Sequence, residues 1–144
     1  MIEFTLDGRT ATASEGELLL HAAARNGVFI PTLCHDEKLE PYGGCRMCVV
    51  GVEGAPRPLP ACATRVAAGM VVSTNSSVPQ LRKTLTEMLL SEHLNADPGG
   101  RPNELTDLAE EVGAEAPFLL PDAKREPYAD RNRLMGYEPD TCIL

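Results

Sequence analysis

Four cysteines, Cys34, Cys45, Cys48 and Cys62, fall in one short span with the spacing C-x10-C-x2-C-x13-C. Thiolates are soft ligands that suit zinc and iron–sulfur clusters. Three readings are open: an iron–sulfur cluster, a structural zinc site, or no bound metal, with two disulfides or buried thiols. Two features favour iron–sulfur. Structural zinc held by four cysteines usually pairs two C-x2-C knuckles, and only Cys45-x-x-Cys48 is such a knuckle here. Pro41-Tyr42-Gly43-Gly44 also precedes Cys45. Glycines let a backbone fold closely around a cluster, so that amide N–H groups point at its sulfurs. Such hydrogen bonds stabilise the extra negative charge of a reduced cluster and raise its potential. Arg46 either adds a positive charge there or is an exposed surface charge.

No catalytic constellation accompanies the cysteines. His21, His35 and His93 have no evident nucleophile or base partner in the sequence. His35 adjoins Cys34 and either tunes the cluster, coupling its reduction to a proton, or is a solvent-facing loop histidine. The fifth cysteine, Cys142, makes the count odd, which does not suit a closed disulfide framework. The opening MIEFTLDGRT lacks the basic and then apolar regions of a secretory signal. A cytoplasmic location is therefore expected, and reduced thiols there point to metal or redox chemistry. Thirteen Lys and Arg against 21 acids leave a net charge of −8. No basic stripe exists to neutralise phosphates, so nucleic acid is not an expected partner. The acidity suits docking onto basic surfaces, or solubility alone. No stretch approaches the ~18 apolar residues of a membrane span.

Local signals outline the elements that must position the thiols. Ile2 to Leu6 alternates apolar and polar residues, Asp7-Gly8 is a hairpin turn signal, and Arg9 to Ala13 can return as a second strand. Ser14 to Glu17 has the S-x-x-E form of a capping box ahead of an Ala- and Leu-rich helix over 15–26, with Gly27 suited to end it. Pro31 keeps the approach to Cys34 from being a central strand. The stretch from Cys34 to Cys48 reads as a long loop, Cys48 to Val52 as a short strand, the Pro56/Pro58/Pro60 stretch as extended, and Met70 to Thr74 as a final strand. A second helix begins at Ser77, with the S-x-x-Q box form and Pro79 in its first turn. Val78, Leu81, Leu85, Met88 and Leu89 recur at helical spacing and predict a packing stripe. Residues 96–102 are a break, 104–112 a short helix, and the segment from Ala116 an extended or disordered tail. With aromatics at only 4%, the core must be mostly aliphatic.

The run Cys34-His35 through Gly43-Gly44-Cys45-Arg46-Met47-Cys48 to Pro60-Ala61-Cys62 resembles the [2Fe–2S] domain that opens several large oxidoreductase subunits. These are the alpha subunit of NAD-dependent formate dehydrogenases, the large iron–sulfur subunit of complex I and the diaphorase subunit of NAD-reducing hydrogenases. The resemblance runs from the N-terminal hairpin to about Val112. It implies an α+β, β-grasp ferredoxin-like fold, consistent with the hairpin–helix opening. It also implies one [2Fe–2S] cluster, with Cys34 and Cys45 on one iron and Cys48 and Cys62 on the other. Plant-type ferredoxins share the fold but space their cysteines as C-x4-C-x2-C…C.

Two departures from the family matter. The helix ending near Ser91-Glu92-His93 normally leads into a [4Fe–4S] site with the pattern H-x3-C-x2-C and a third cysteine before Glu-Leu. Here His93 remains, but Asp97, Gly100 and Asn103 stand at the matching positions. That cluster is therefore expected to be absent. The end, Tyr137 to Leu144 with Cys142, resembles the entry to a two-cluster ferredoxin module and then stops. Either the chain is a fragment of a larger subunit or Cys142 is a free thiol. The expected organisation is a cluster domain over 1–77, a helical extension with the degenerate [4Fe–4S] region over 78–115, and a tail over 116–144.

The functional expectation is single-electron relay in a cytoplasmic formate dehydrogenase-type oxidoreductase, with no catalytic site in this chain. The partners that the resemblance implies are a flavin subunit handling NAD and a molybdenum or tungsten catalytic domain. A subunit of complex I or of an NAD-reducing hydrogenase is the alternative within redox chemistry. A zinc-bound structural or interaction module is the alternative of another class.

Overall fold

The computed structural model describes residues 1–75, 77–93 and 103–115. The break at 96–102, the tail from Ala116 and Cys142 lie outside them. Two compact units divide the chain, Met1–Arg82 and Lys83–Leu144.

In the first unit, β1 (Ile2–Leu6) and β2 (Arg9–Ala13) form the expected hairpin, with Ile2 opposite Ala13 and Leu6 opposite Arg9. Asp7 and Gly8 both take positive φ, 48° and 79°. That pair of values is what a tight two-residue turn matching the strand twist requires. The alternation holds: Phe4 and Leu6 of β1, and Ala11 and Ala13 of β2, are buried. α1 (Leu19–Arg25) lays Leu19, Leu20, Ala22 and Ala23 into the same core. The helix starts later than its sequence signal. The Glu17 carboxylate accepts from the Ser14 N–H at 2.6 Å, which is one half of the capping box. Gly16, at φ 77°, turns the chain out of helical geometry, so the first helical residue is Leu19.

The remaining strands are β3 (Val49–Val52), β4 (Leu59–Pro60) and β5 (Val71–Ser73), and the sheet order is β2-β1-β5-β3-β4. β5 runs parallel to β1 and antiparallel to β3. A hairpin and helix followed by a strand inserted parallel beside β1 is the α+β, β-grasp arrangement. β4 lies at the sheet edge, where Pro60 withholds no needed N–H. The hairpin turn is tied to the end of β5, because both Asp7 carboxylate oxygens accept from Thr74, one from its N–H and one from its hydroxyl, each at 2.7 Å.

α2 (Val78–Glu92) and α3 (Glu104–Val112) follow. The predicted stripe on α2 is corrected by the structure. Val78 is buried, but Leu81 and Met88 are exposed, and the buried positions include Arg82 and Thr86. Residues 78, 82 and 86 share one face because four-residue steps stay on one side of a 3.6-residue helix. In the second unit, Asn103 caps α3 by accepting from Leu105 N–H at 3.0 Å, and Gly113 ends it in the left-handed conformation.

Candidate cluster site

Three local structures carry the four cysteines. Cys48 immediately precedes β3, and Cys62 lies in a 3-10 turn, Ala61–Ala63, immediately after β4. β3 and β4 pair with Val49 opposite Pro60, and Ala61 N–H donates to the Cys48 carbonyl at 3.0 Å. That register brings Cys48 and Cys62 together although 13 residues separate them in sequence. The segment after Cys62 is anchored to the start of α1, since Leu19 N–H donates to Thr64 O at 2.8 Å and Val66 N–H to Glu17 O at 3.0 Å. Cys34 and Cys45 lie on the loop between α1 and β3, and Cys45 N–H donates to Cys34 Sγ at 3.5 Å. Two turns shape this loop: Gly43 has φ 66° and Arg46 has φ 62°. Left-handed backbone is uncommon for a residue with a side chain.

All four cysteines are free thiols; Cys48 and Cys62 are buried, Cys34 and Cys45 half-buried. The backbone brings them together as two pairs, Cys34 with Cys45 through the Cys45 N–H bond to Cys34 Sγ, and Cys48 with Cys62 through the β3–β4 register. Burial pushes the Cys62 thiol up to about 12, reinforced by the bond to Cys48 and by the nearby Cys48, Cys34 and Cys45 charges. Burial likewise raises Cys45, against the pull of the Met47 N–H. Burial would raise Cys34 too, but the N–H groups of Cys45 and Gly44 and the Cys45 thiol outweigh it and lower that group. Burial first, and the neighbouring sulfurs second, disfavour the thiolate at Cys45 and Cys62, and a bound cation reverses that preference. The donor set of four soft sulfurs, with backbone N–H groups directed at them, fits an iron–sulfur cluster.

The neighbouring residues divide differently from their sequence readings. Arg46 is exposed, so its charge faces solvent while its backbone makes the turn between Cys45 and Met47. His35 is half-buried, and neither ring nitrogen has a hydrogen-bond partner. Both ring nitrogens are buried, so the solvent-facing reading is corrected, and the ring lies 5.6 Å from that of exposed His21 on α1. His93 lies in the second unit, where its Nε2 is 3.1 Å from Asn103 Nδ2. Sequence reasoning missed Arg82. Its Nε donates to Met47 O at 2.9 Å and its Nη2 to Val49 O at 2.8 Å, the two carbonyls on either side of Cys48. An arginine on an amphipathic helix carries no sequence signal for such a role.

Comparison with known proteins bears on this site. The family described as the 2Fe-2S iron-sulfur cluster binding domain matches residues 1–77. An NADH-quinone oxidoreductase subunit of Rhizobium meliloti is 44% identical over 94 residues, covering 65% of this chain and 11% of that protein. The gamma subunit of the NAD-reducing hydrogenase HoxS of Cupriavidus necator is 35% identical over 151 aligned positions, covering 99% of this chain and 62% of that protein. A chain in the crystal structure of an NAD+-reducing [NiFe]-hydrogenase in the H2-reduced state superposes with a TM-score of 0.72 at 33% identity, covering 81% of this chain and 51% of that one. The chain thus spans from about a tenth to three fifths of the length of these relatives.

Proposed function

Because this chain belongs to the family of [2Fe–2S] cluster-binding domains, we propose that Cys34, Cys45, Cys48 and Cys62 hold its cluster and that it relays electrons inside a larger oxidoreductase. The observation that carries the reading is that the backbone brings Cys45 to Cys34, through its N–H bond to Cys34 Sγ, and Cys48 to Cys62, through the pairing of Val49 with Pro60. Two thiolates per iron is the division that a two-iron cluster needs. A structural zinc instead draws its donors to one point.

When bound, the cluster supplies one-electron chemistry between its oxidised and singly reduced states. The chain's own residues hold and insulate it. The β3–β4 register fixes Cys48 and Cys62, and the turns at Gly43 and Arg46 aim the Cys45 and Met47 N–H groups at sulfur. Hydrogen bonds of that kind favour the reduced form. One cluster per chain is supported by His93 and Asn103. The asparagine commits Oδ1 to the cap of α3 and turns Nδ2 to the imidazole.

The larger assembly is read as cytoplasmic, and no helix among the described residues is long and apolar enough to cross a membrane. Similarity over 99% of this chain to part of an NAD-reducing hydrogenase favours that kind of home. Complex I and formate dehydrogenase are the other two homes. The partner common to all three is a flavin subunit that handles NAD. A molybdenum or tungsten domain belongs to the formate dehydrogenase reading.

Anaerobic reconstitution tests the site. The protein should turn red-brown, hold about two irons and two sulfides per chain, and bleach on reduction. Cys45→Ser should lose or strongly destabilise the cluster, because a hard oxygen replaces a soft thiolate. Cys142→Ser should leave the spectrum alone. A colourless chain with one zinc, or full occupancy in Cys45→Ser, overturns the reading.

A further inference from the structure

Arg82 is 7% exposed, and its Nε and Nη2 donate to carbonyls of the segment that carries Cys48. Desolvating a guanidinium is costly unless its charge and donors are engaged. Here the donors reach across 35 and 33 residues of sequence, to Met47 O and Val49 O. Met47 itself is fully buried, so the loop at this point is closed off from water. Arg46, the cation that the sequence sets between two of the thiols, is exposed and screened by solvent. The buried charge beside the site therefore comes from α2, not from the cysteine loop.

We propose that Arg82 is a positioning residue for the cluster and that its buried positive charge raises the cluster's reduction potential. The inference rests on the four-cysteine reading above. The two carbonyl bonds hold Met47 and Val49, and through them the backbone of Cys48, in one place. Reduction adds one negative charge to the cluster, and a fixed cation in a poorly screened interior stabilises that added charge more than a solvated one does. A purely structural arginine would alter folding and cluster retention but would leave the midpoint potential of the loaded protein where it was.

The test compares reconstituted wild type, Arg82→Gln and Arg82→Lys by iron and sulfide content, visible spectrum and a mediated redox titration followed by electron paramagnetic resonance. Arg82→Gln removes the charge while keeping a donor. It should shift the one-electron equilibrium about tenfold toward the oxidised form, which is 59 mV for a one-electron couple. Arg82→Lys keeps the charge and should stay within about threefold of wild type. A loaded Arg82→Gln protein within twofold of wild type overturns the proposal, as does Arg82→Lys shifting as far as Arg82→Gln. If Arg82→Gln fails to hold a cluster, the lysine variant decides. Loaded and within threefold of wild type, it supports the role of charge; empty or displaced tenfold, it refutes it. Failure of the four-cysteine reading is distinguishable, because wild type itself would then lack the two-iron stoichiometry.

Discussion

Gly43 and Gly44 precede Cys45 side by side, and they are glycines for different reasons. Gly43 has φ 66°, and a Cβ there would meet Pro60 and Ala63 side chains at 3.6–3.7 Å, an ordinary contact. Nothing outside the residue resists a methyl group. Gly43→Ala therefore carries only the left-handed penalty of about 1–2 kcal/mol, reduced by the lower entropy of the unfolded alanine chain to about 1 kcal/mol net. At Gly44 a Cβ would clash with the Tyr42 ring at Cε1 and Cδ1. Tyr42, however, is 81% exposed, and its ring can swing into solvent. Gly44→Ala should then cost no more than about 0.5 kcal/mol, since the entropic gain offsets the lost ring contact. In a Tyr42→Ala background the same change should stabilise by about 0.4–1 kcal/mol. Anaerobic urea unfolding of the loaded protein, followed by circular dichroism at 222 nm, gives the midpoints of wild type, the three single variants and the two double variants in the Tyr42→Ala background. Gly43→Ala should be the most destabilised single variant, and its cost should not depend on Tyr42. The reasoning fails if Gly44→Ala costs more than Gly43→Ala, or if removing the Tyr42 ring leaves the Gly44→Ala effect unchanged.

Two further outcomes follow from side chains that tie elements together. Asp7→Ala loses both bonds to Thr74 and a residue tolerant of left-handed backbone, and should cost about 2–3 kcal/mol; Asp7→Asn keeps an acceptor and the turn, and should cost about 1 kcal/mol. Equal urea midpoints for the two variants would sink that account. The Glu17 carboxyl is held below its ordinary value of 4.5, first by the Arg25 guanidinium that bonds it at 2.8 Å and then by the Ser14 N–H. A depressed folded-state value means that the carboxylate stabilises the fold above pH 4.5, and that this contribution is lost as pH falls below it. Glu17→Gln should lower stability near neutral pH and flatten that acid-side fall. Parallel urea midpoints for variant and wild type from neutral pH down through this window would count against the assignment.

Local chemistry made part of this protein legible from its residues alone. The Asp7-Gly8 turn, the Phe4 and Leu6 alternation and the α3 helix over Glu104–Val112 are each decided within a few residues, by backbone preference and side-chain period. The cysteine set was legible for the same kind of reason, because sulfur softness and spacing are properties of the chain. What only the tertiary structure decided is what depends on distant segments. The alternation of β1 does not say which strand lies beside it, so the parallel β1–β5 pairing could not be read from either strand. The closeness of Cys48 and Cys62 follows from the register of Val49 with Pro60. The α2 stripe misled because apolar spacing marks several overlapping faces of one helix, and the face turned inward was chosen by two backbone carbonyls more than thirty residues earlier that needed a donor. An arginine that the sequence does not single out is thereby a buried cation flanking Cys48. Sequence named the sulfurs proposed to hold iron; the long-range hydrogen bonds of the fold decided that Arg82 is buried beside Cys48.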